Sequence, residues 1–488
     1  MNPSPSKKLQ LAAVLSGALL CMLNQYLVSP ALPAVMAEFR VTADVVQWLT
    51  TGFTMTSALM IPLTAFLIRR LAPRRLFLIA MGLFFLGSLL LGSGLSFGMA
   101  LLGRILQALG AGVMMPLAQV FLLGSAPKEK RGSAMGKMGL VIAAAPALGP
   151  VLAGLTVDRF SWYWLFRGVA ICAAGVLLLA WVCLPRQKGD HTAALDLPSL
   201  LLSCLGFGCL LYGFSAIPEA GFLAPEVLIS LVVGVVGLFL FIRRQGILKE
   251  PFLDLRVLRT PSYRRAVVLM MVANASLAGG TVLLPIFVQN VCGYSATASG
   301  MLMAPGAILM GLLAPISGRI FDRKGPRILN LTGFTILFLG NLAFCFLTPH
   351  WSLLLIGTLY SLRMIGMAVN NSSLLAWSTM DLSETMTPHG VSVMNTFRQI
   401  TGAFGTALMV SALRLTEQAG GSTLTATTQG LSLAFALAAA ISLFALLLTL
   451  KPLAKSTYRR FSHEKTAVFL RDRQIHGGPG GRQGCQPG

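Results

Sequence analysis

Read only for hydrophobic and polar positions, the chain is a succession of long apolar runs broken by short polar segments. A membrane-crossing helix needs about 20 mostly apolar residues. Fourteen stretches meet that need, at roughly 9–30, 46–67, 76–95, 99–123, 136–157, 164–184, 197–217, 226–242, 266–289, 298–318, 328–347, 352–377, 390–413 and 430–450. The runs are continuous rather than alternating, which fits helices and excludes a closed β-barrel. Lys7-Lys8 before the first run imitates a secretory leader. That run extends to Pro30 and many similar ones follow, so an uncleaved first span is expected.

Basic residues give the runs a direction. With the N-terminus placed in the cytosol, the inner segments hold 31 Lys and Arg, whereas the outer loops hold only Arg40, Arg159 and Arg414. This asymmetry puts both termini in the cytosol. The inner loop 379–389, with Asp381 and Glu384, is the one that contributes no Lys or Arg. The expected fold is therefore an all-α polytopic membrane protein of fourteen spans.

The sequence also repeats itself. Pro62 to Arg74 realigns with Pro315 to Arg327 at a constant offset of 253 residues, each copy joining the second and third span of a six-span set. Two parallel halves are expected, 1–184 and 266–450, with two inserted spans and a basic cytosolic linker between them at 185–265. Such repeats hold a substrate site between them. The basic tail at 451–488, rich in Gly and Pro, is expected to be disordered.

Composition agrees. Of 488 residues, 55% are hydrophobic and 11% charged, where a soluble protein has about 25% charged; the mean hydropathy is +0.76. A net charge of +22 raises nucleic acid as a partner, but the basic residues lie in loops between apolar runs and read as topology, with the lipid bilayer as the partner. The eight cysteines form no CxxC pair and read as small buried hydrophobes.

Within the runs, few residues carry chemistry. Arg104, Arg363 and Arg398 must face a wet cavity or a partner, because burying arginine costs about 2.5–3.5 kcal/mol on the insertion scale. Each is open to a structural reading or to one in proton or substrate handling. Pro146, Gly149, Pro150 and Gly154 share one face of the fifth span, either a kinked helix or a sliding seal. Met114, Met115, Met301, Met303, Met364 and Met367 suit an adaptable cavity lining. No acid lies in the middle of a span. Asp158, at the outer end of the fifth, is the first coupling candidate, ahead of Glu38, Asp44 and Asp322.

Several segments carry a family resemblance. Gly318-x-Ile320-x-Asp322-Arg323-x-Gly325-x-Arg327 resembles the loop signature of the major facilitator superfamily; in the first copy Arg69 stands at the acid's place. Arg104-x-x-Gln107-x-x-Gly110 looks like the superfamily's fourth-span motif, and Pro146-x-x-Gly149-Pro150-x-x-x-Gly154 like its antiporter motif. Trp162-x-Trp164-x-Phe166, Leu284-Pro285-x-x-x-Gln289 and Asn395-x-x-Arg398-Gln399 are similar to the drug:proton antiporter group with fourteen spans. Leu23-Asn24-Gln25 and Pro388-His389-Gly390 look like its lincomycin-resistance branch, with Ser29-Pro30 a departure.

The resemblance covers residues of about 10–450. It implies a sealing role for the fifth-span face and an exporter of amphipathic drugs or antibiotics in the bacterial inner membrane. The proton gradient, not a cofactor, would supply the energy. A periplasmic adaptor is a further candidate partner in a double-membraned bacterium. The alternatives are a dedicated exporter of one metabolite or lincosamide-like antibiotic, and a membrane receptor or intramembrane enzyme. No GxxxxGK[ST] or HExxH motif supports the last.

Overall fold

A computed structural model describes residues 5–157, 159–185, 196–248, 250–418 and 423–450. Asp158 and the tail at 451–488 lie outside the described residues. Lipid offers the backbone no hydrogen bonds, so each apolar run must satisfy its own amides by coiling. Among the described residues the long elements are α1 (Pro5–Phe39), α2 (Ala43–Arg70), α3 (Pro73–Ser93), α4 (Phe97–Ser125), α5 (Arg131–Val157), α6 (Trp162–Cys183) and α7 (Leu197–Ala220). They continue as α8 (Pro225–Ile247), α9 (Pro261–Ile286), α10 (Ala296–Lys324), α11 (Pro326–Phe344), α12 (Leu353–Ser378), α13 (Thr387–Gln418) and α14 (Thr423–Leu450).

Local chemistry sets several helix ends. Ser96, Asp196, Ser295 and Ser352 cap α4, α7, α10 and α12 by accepting from backbone amides three residues on. Gly325, at φ 77°, ends α10 in a conformation that other residues adopt only under strain and turns the chain into α11.

Among the described residues thirteen helices are long and apolar enough to cross a membrane by composition; α13 is not among them. The reason is its polar content. Ser392, Asn395 and Thr396 are buried against neighbouring helices instead of meeting lipid, so protein packing rather than hydropathy holds α13 in place.

The packing repeats along the chain. In α1–α6 the paired helices are α3/α4, α2/α4, α1/α5, α3/α6 and α1/α6; in α9–α14 they are α11/α12, α10/α12, α9/α13, α11/α14 and α9/α14. The two sets meet along two seams, α5 on α10 and α2 on α13. The α7/α8 hairpin borders the second seam, where Phe214 of α7 lies edge-on to Phe404 of α13 at 5.4 Å. Its cytosolic end is clamped by Arg244, which donates twice to Asp196 at 2.7 Å. These bonds, with those from Ser199, hold the Asp196 carboxyl well below the usual carboxylate range.

Candidate functional site

The sequence singles out Asn24, Arg104 and Gln107 separately; the structure joins them. All three are fully buried. Arg104 donates from Nε to the Leu49 carbonyl at 2.9 Å and from Nη1 to Gln107 Oε1 at 3.0 Å. The same Oε1 accepts from Asn24 Nδ2 at 3.0 Å, and Gln107 Nε2 donates to Ser88 Oγ at 2.9 Å. The Phe53 ring lies 4.1 Å from the guanidinium carbon.

Arg363 on α12 is the counterpart. Its Nε donates to Asn341 Oδ1 at 2.7 Å and its Nη2 to the Ser276 carbonyl at 3.2 Å. The rings of Phe435 and Phe344 stand 5.2 and 5.8 Å away. Asn341 in turn donates to Ser276 Oγ and Ser442 Oγ.

Ser88 and Asn341 occupy the same repeat position, 253 residues apart, so each set ties its fourth helix to its third through one buried arginine network. A charge-assisted hydrogen bond contributes about 1.5–3 kcal/mol and a desolvated cation–π contact about 2 kcal/mol. Together they exceed the insertion cost of an arginine. Among the described residues neither network includes an acid. Both brace their own six-helix set and do not cross to the other.

Arg398 differs. It is half-buried and interacts electrostatically with Tyr26 of α1, in the other set. Tyr26 also interacts with Tyr360 of α12. Tyr26, Arg398 and Tyr360 therefore share a polar neighbourhood between the sets. Gly149 supports it: a Cβ there would lie 2.6 Å from the Tyr26 Cβ.

The fifth-span face is packed unevenly. Gly149 packs on α1, not on the opposite set, and Gly154 has nothing within 4 Å of a would-be Cβ. Pro146 and Pro150 lie within the unbroken α5. The contact with the opposite set is made about three to five turns nearer the cytosol than Gly149. A Cβ on Gly132 would meet the Gly318 carbonyl, one on Gly136 the Ala314 carbonyl at 2.7 Å, and one on Gly139 the Ala314 Cβ at 2.6 Å. Sequence reading passed over these glycines, although their i, i+4, i+7 spacing is a helix-contact signal.

The same end of the seam carries a latch. Asp322 accepts from the Gly132 amide at 2.8 Å, from the Ser133 amide at 2.9 Å and from the Ser133 hydroxyl. Its carboxylate thus sits on the N-terminus of α5, where the helix dipole and free amides favour a negative charge. Arg131 donates to the Thr379 carbonyl, and Asn395 Nδ2 donates to Gln119 Oε1 at 2.6 Å. Hydrogen bonds between the sets therefore gather at the cytosolic end. Arg323 and Arg327 of the same motif are exposed.

Of the other acids, Glu38 accepts from the Trp162 indole. Asp381 accepts from Ser262 Oγ at 2.6 Å.

On the other seam a segment of the linker intervenes. Phe252 stacks on Phe66 of α2 at 5.5 Å, and the Asp254 amide donates to His389 Nδ1 at 3.1 Å. Burial holds the His389 imidazole down to about 4, against an opposing pull from Asp254. A neutral ring is what an accepting Nδ1 requires. His389 stands at the cytosolic tip of α13, ahead of its membrane-embedded stretch. Among the described residues no three His, Cys, Asp or Glu side chains gather as a metal ion would require.

Residues 14–406 match the family model described as Major Facilitator Superfamily. The chain is 42% identical over 438 residues to the uncharacterized MFS-type transporter YcnB of Bacillus subtilis (strain 168), covering 89% of this chain and 93% of that one. It is 33% identical over 398 residues to lincomycin resistance protein LmrB of the same organism, covering 80% and 82%. The crystal structure of the human organic anion transporter MFSD10 superposes with a TM-score of 0.68 at 16% identity, over 91% of this chain and 100% of that one. That likeness concerns the fold. The helical repeat, the seams between its copies and these matches agree: the chain belongs to the major facilitator superfamily and is a multi-pass membrane transporter, not an enzyme.

Proposed function

We propose that this chain exports amphipathic drugs or antibiotics across a bacterial plasma membrane, by alternating access between the two six-helix sets and in exchange for protons. The observation that carries the reading is the arrangement of contacts between the sets. Internally braced bundles touch through a glycine seam and a carboxylate latch at one end. Bundles joined this way can part at the cytosolic end without unfolding, which rocking of one repeat against the other needs.

Tyr26, Tyr360 and Arg398 between the sets would suit ligands with rings and acceptor oxygens. Similarity to a lincomycin resistance protein supports an antibiotic substrate and also favours a narrower reading, export of one lincosamide-like compound. Asp158 and Asp322 are the acids we nominate for proton coupling, and a periplasmic adaptor is an open addition to the machinery.

The test is transport by the purified chain in proteoliposomes, with a panel of cationic dyes and lincosamides. Uphill accumulation should require an imposed pH gradient and extend to several chemically unrelated compounds. Accumulation of a single compound would support the narrower reading. Uptake indifferent to the gradient would remove proton exchange from the mechanism.

A further inference from the structure

A cavity lies away from Tyr26 and Arg398, at the cytosolic ends of α9, α11, α12 and α14. It encloses about 220 Å³. Arg264, Arg265 and Arg327 line it and are exposed, while Val268 and Leu448 give it apolar walls.

Two of these arginines sit where helix electrostatics disfavours them. Arg264 lies in the first turn of α9 and Arg327 in the first turn of α11, and neither turn carries an acid. The positive end of a helix dipole repels cations. A topology signal does not require this placement, because arginines one turn away in the loops would serve equally. A bound anion reverses the sign: two helix N-termini and their arginines then converge on one negative charge. Asp381, which accepts from Ser262 in the same turn of α9, offsets part of the positive charge but does not line the cavity.

The buried wall supplies an independent sign of a ligand. Trp377 and Asn330 line the cavity and are each 2% exposed. Trp377 Nε1 and Asn330 Oδ1 have no hydrogen-bond partner among the described residues. An indole N–H can only donate, so it calls for an acceptor oxygen; an amide oxygen calls for a donor. Leaving both unmet is costly.

We propose that this cavity binds the headgroup of an anionic phospholipid whose head bears hydroxyls. Its phosphodiester is held by Arg264, Arg327 and the Trp377 N–H, a head hydroxyl donates to Asn330, and an acyl chain runs along Val268 and Leu448. Free phosphate shares the charge but has no tail for the apolar wall. The site is separate from Tyr26 and Arg398 and would tie transporter stability to the composition of the inner leaflet.

Native mass spectrometry of the full chain, with phosphatidylglycerol or phosphatidylcholine added, tests the proposal. Phosphatidylglycerol should be retained in preference. Arg264→Gln and Arg327→Gln should each weaken its retention about fivefold, and Trp377→Phe, which keeps the ring bulk, should weaken it severalfold. Arg75→Gln, the same charge loss at the cytosolic end of α3, should leave retention unchanged. Equal losses in Arg75→Gln and the cavity variants would mean diffuse surface charge and overturn the proposal. Displacement of the lipid by millimolar inorganic phosphate would overturn it in favour of a free anion. A melting temperature raised by phosphatidylglycerol in the parent but not in Arg327→Gln would support it by a second route.

Discussion

The two seams are built from equivalent helices and closed by different chemistry. On the α5/α10 seam, Ala314, Gly318 and Asp322 lie along one edge of α10, and the backbones touch. At the equivalent places on α2 stand Ile61, Ala65 and Arg69. Side chains there hold the backbones apart, and Arg69 has no use for a helix N-terminus. The chain fills that seam from outside. Phe252 stacks on Phe66, Arg69 faces Glu250 at 3.8 Å, and Asp254 reaches His389. A repeat that loses its latch acid on one side thus keeps two closed seams by adding a linker plug. One seam closes through direct contact and one through an intermediary, so they should fail differently.

The largest effect should come from Gly318→Val. A Cβ there meets the Gly132 carbonyl, which cannot move without displacing α5. Overpacking of a tight contact costs about 1–3 kcal/mol and more where backbone is the obstacle. We expect the cytosolic-closed state to be lost and transport abolished, with insertion intact. Ala65→Val, the matching change on the other seam, should be far milder. Equal damage from the two would erase the distinction between the seams.

Asp322→Asn comes next. It keeps an acceptor but discards the charge that faces two amides and a hydroxyl. Hydrogen bonds to charged groups contribute about 1.5–3 kcal/mol, so the closed population should fall by roughly ten- to a hundredfold. Spin-label distances across the seam would report it. Ser133→Ala should fall in the same direction and by less. An unchanged distance distribution in Asp322→Asn would mean that the glycine packing alone holds the seam.

How far the sequence foretold this depends on how local each signal is. Fourteen apolar runs and the 253-residue repeat needed only residue order, and the helices follow them. Arg104 was conspicuous as a cation in an apolar run, Asn24 and Gln107 through the motifs that hold them, and the structure gathers the three. Ser88, Ser276 and Ser442 were not. A serine in a span usually bonds its own helix, and nothing in its neighbours says which arginine network it joins.

The seam glycines were visible by spacing, yet the prolines at 146 and 150 drew attention to the next stretch of the same helix. Tyr26 carried no motif that marked it, and its meeting with Arg398 is a product of tertiary packing alone. His389 read as a loop residue because its partner lies 135 positions away.

Phe252→Ala tests the plug. Phe252 is 2% exposed and contacts both Phe66 and Phe241. Truncating a buried phenylalanine costs about 3–5 kcal/mol when the site cannot collapse. Here the linker can settle into part of the vacated space, so the loss is partial. Transport should fall severalfold, and amides of the linker around Leu253 should exchange faster, while α5/α10 distances stay as they were. Loosening of both seams at once would show that the plug braces the whole cytosolic face.

The last effect is absent at neutral pH and confined to acid. His389 is faced by Asp254, Arg69 and Arg256 and is held down to about 4 in place. Released from the plug, it returns toward its ordinary value of about 6.5. A group whose pKa is lower in the docked state lends its stabilisation fully above the released value and loses it as pH falls toward the docked one. Docking of the linker should therefore not vary from about pH 8 to about pH 7, then weaken roughly tenfold per unit between about 6.5 and 4. The Asp254 amide, which donates to His389 Nδ1 at 3.1 Å, is the reporter. Its exchange, corrected for the intrinsic rate, should accelerate across that acid window in the parent protein. In His389→Gln the amide retains an acceptor that does not titrate, so its protection should start somewhat lower and stay flat. A parent whose Asp254 protection is equally flat down to about pH 5 would separate the histidine from the plug and leave Phe252 and Arg69 to hold the second seam.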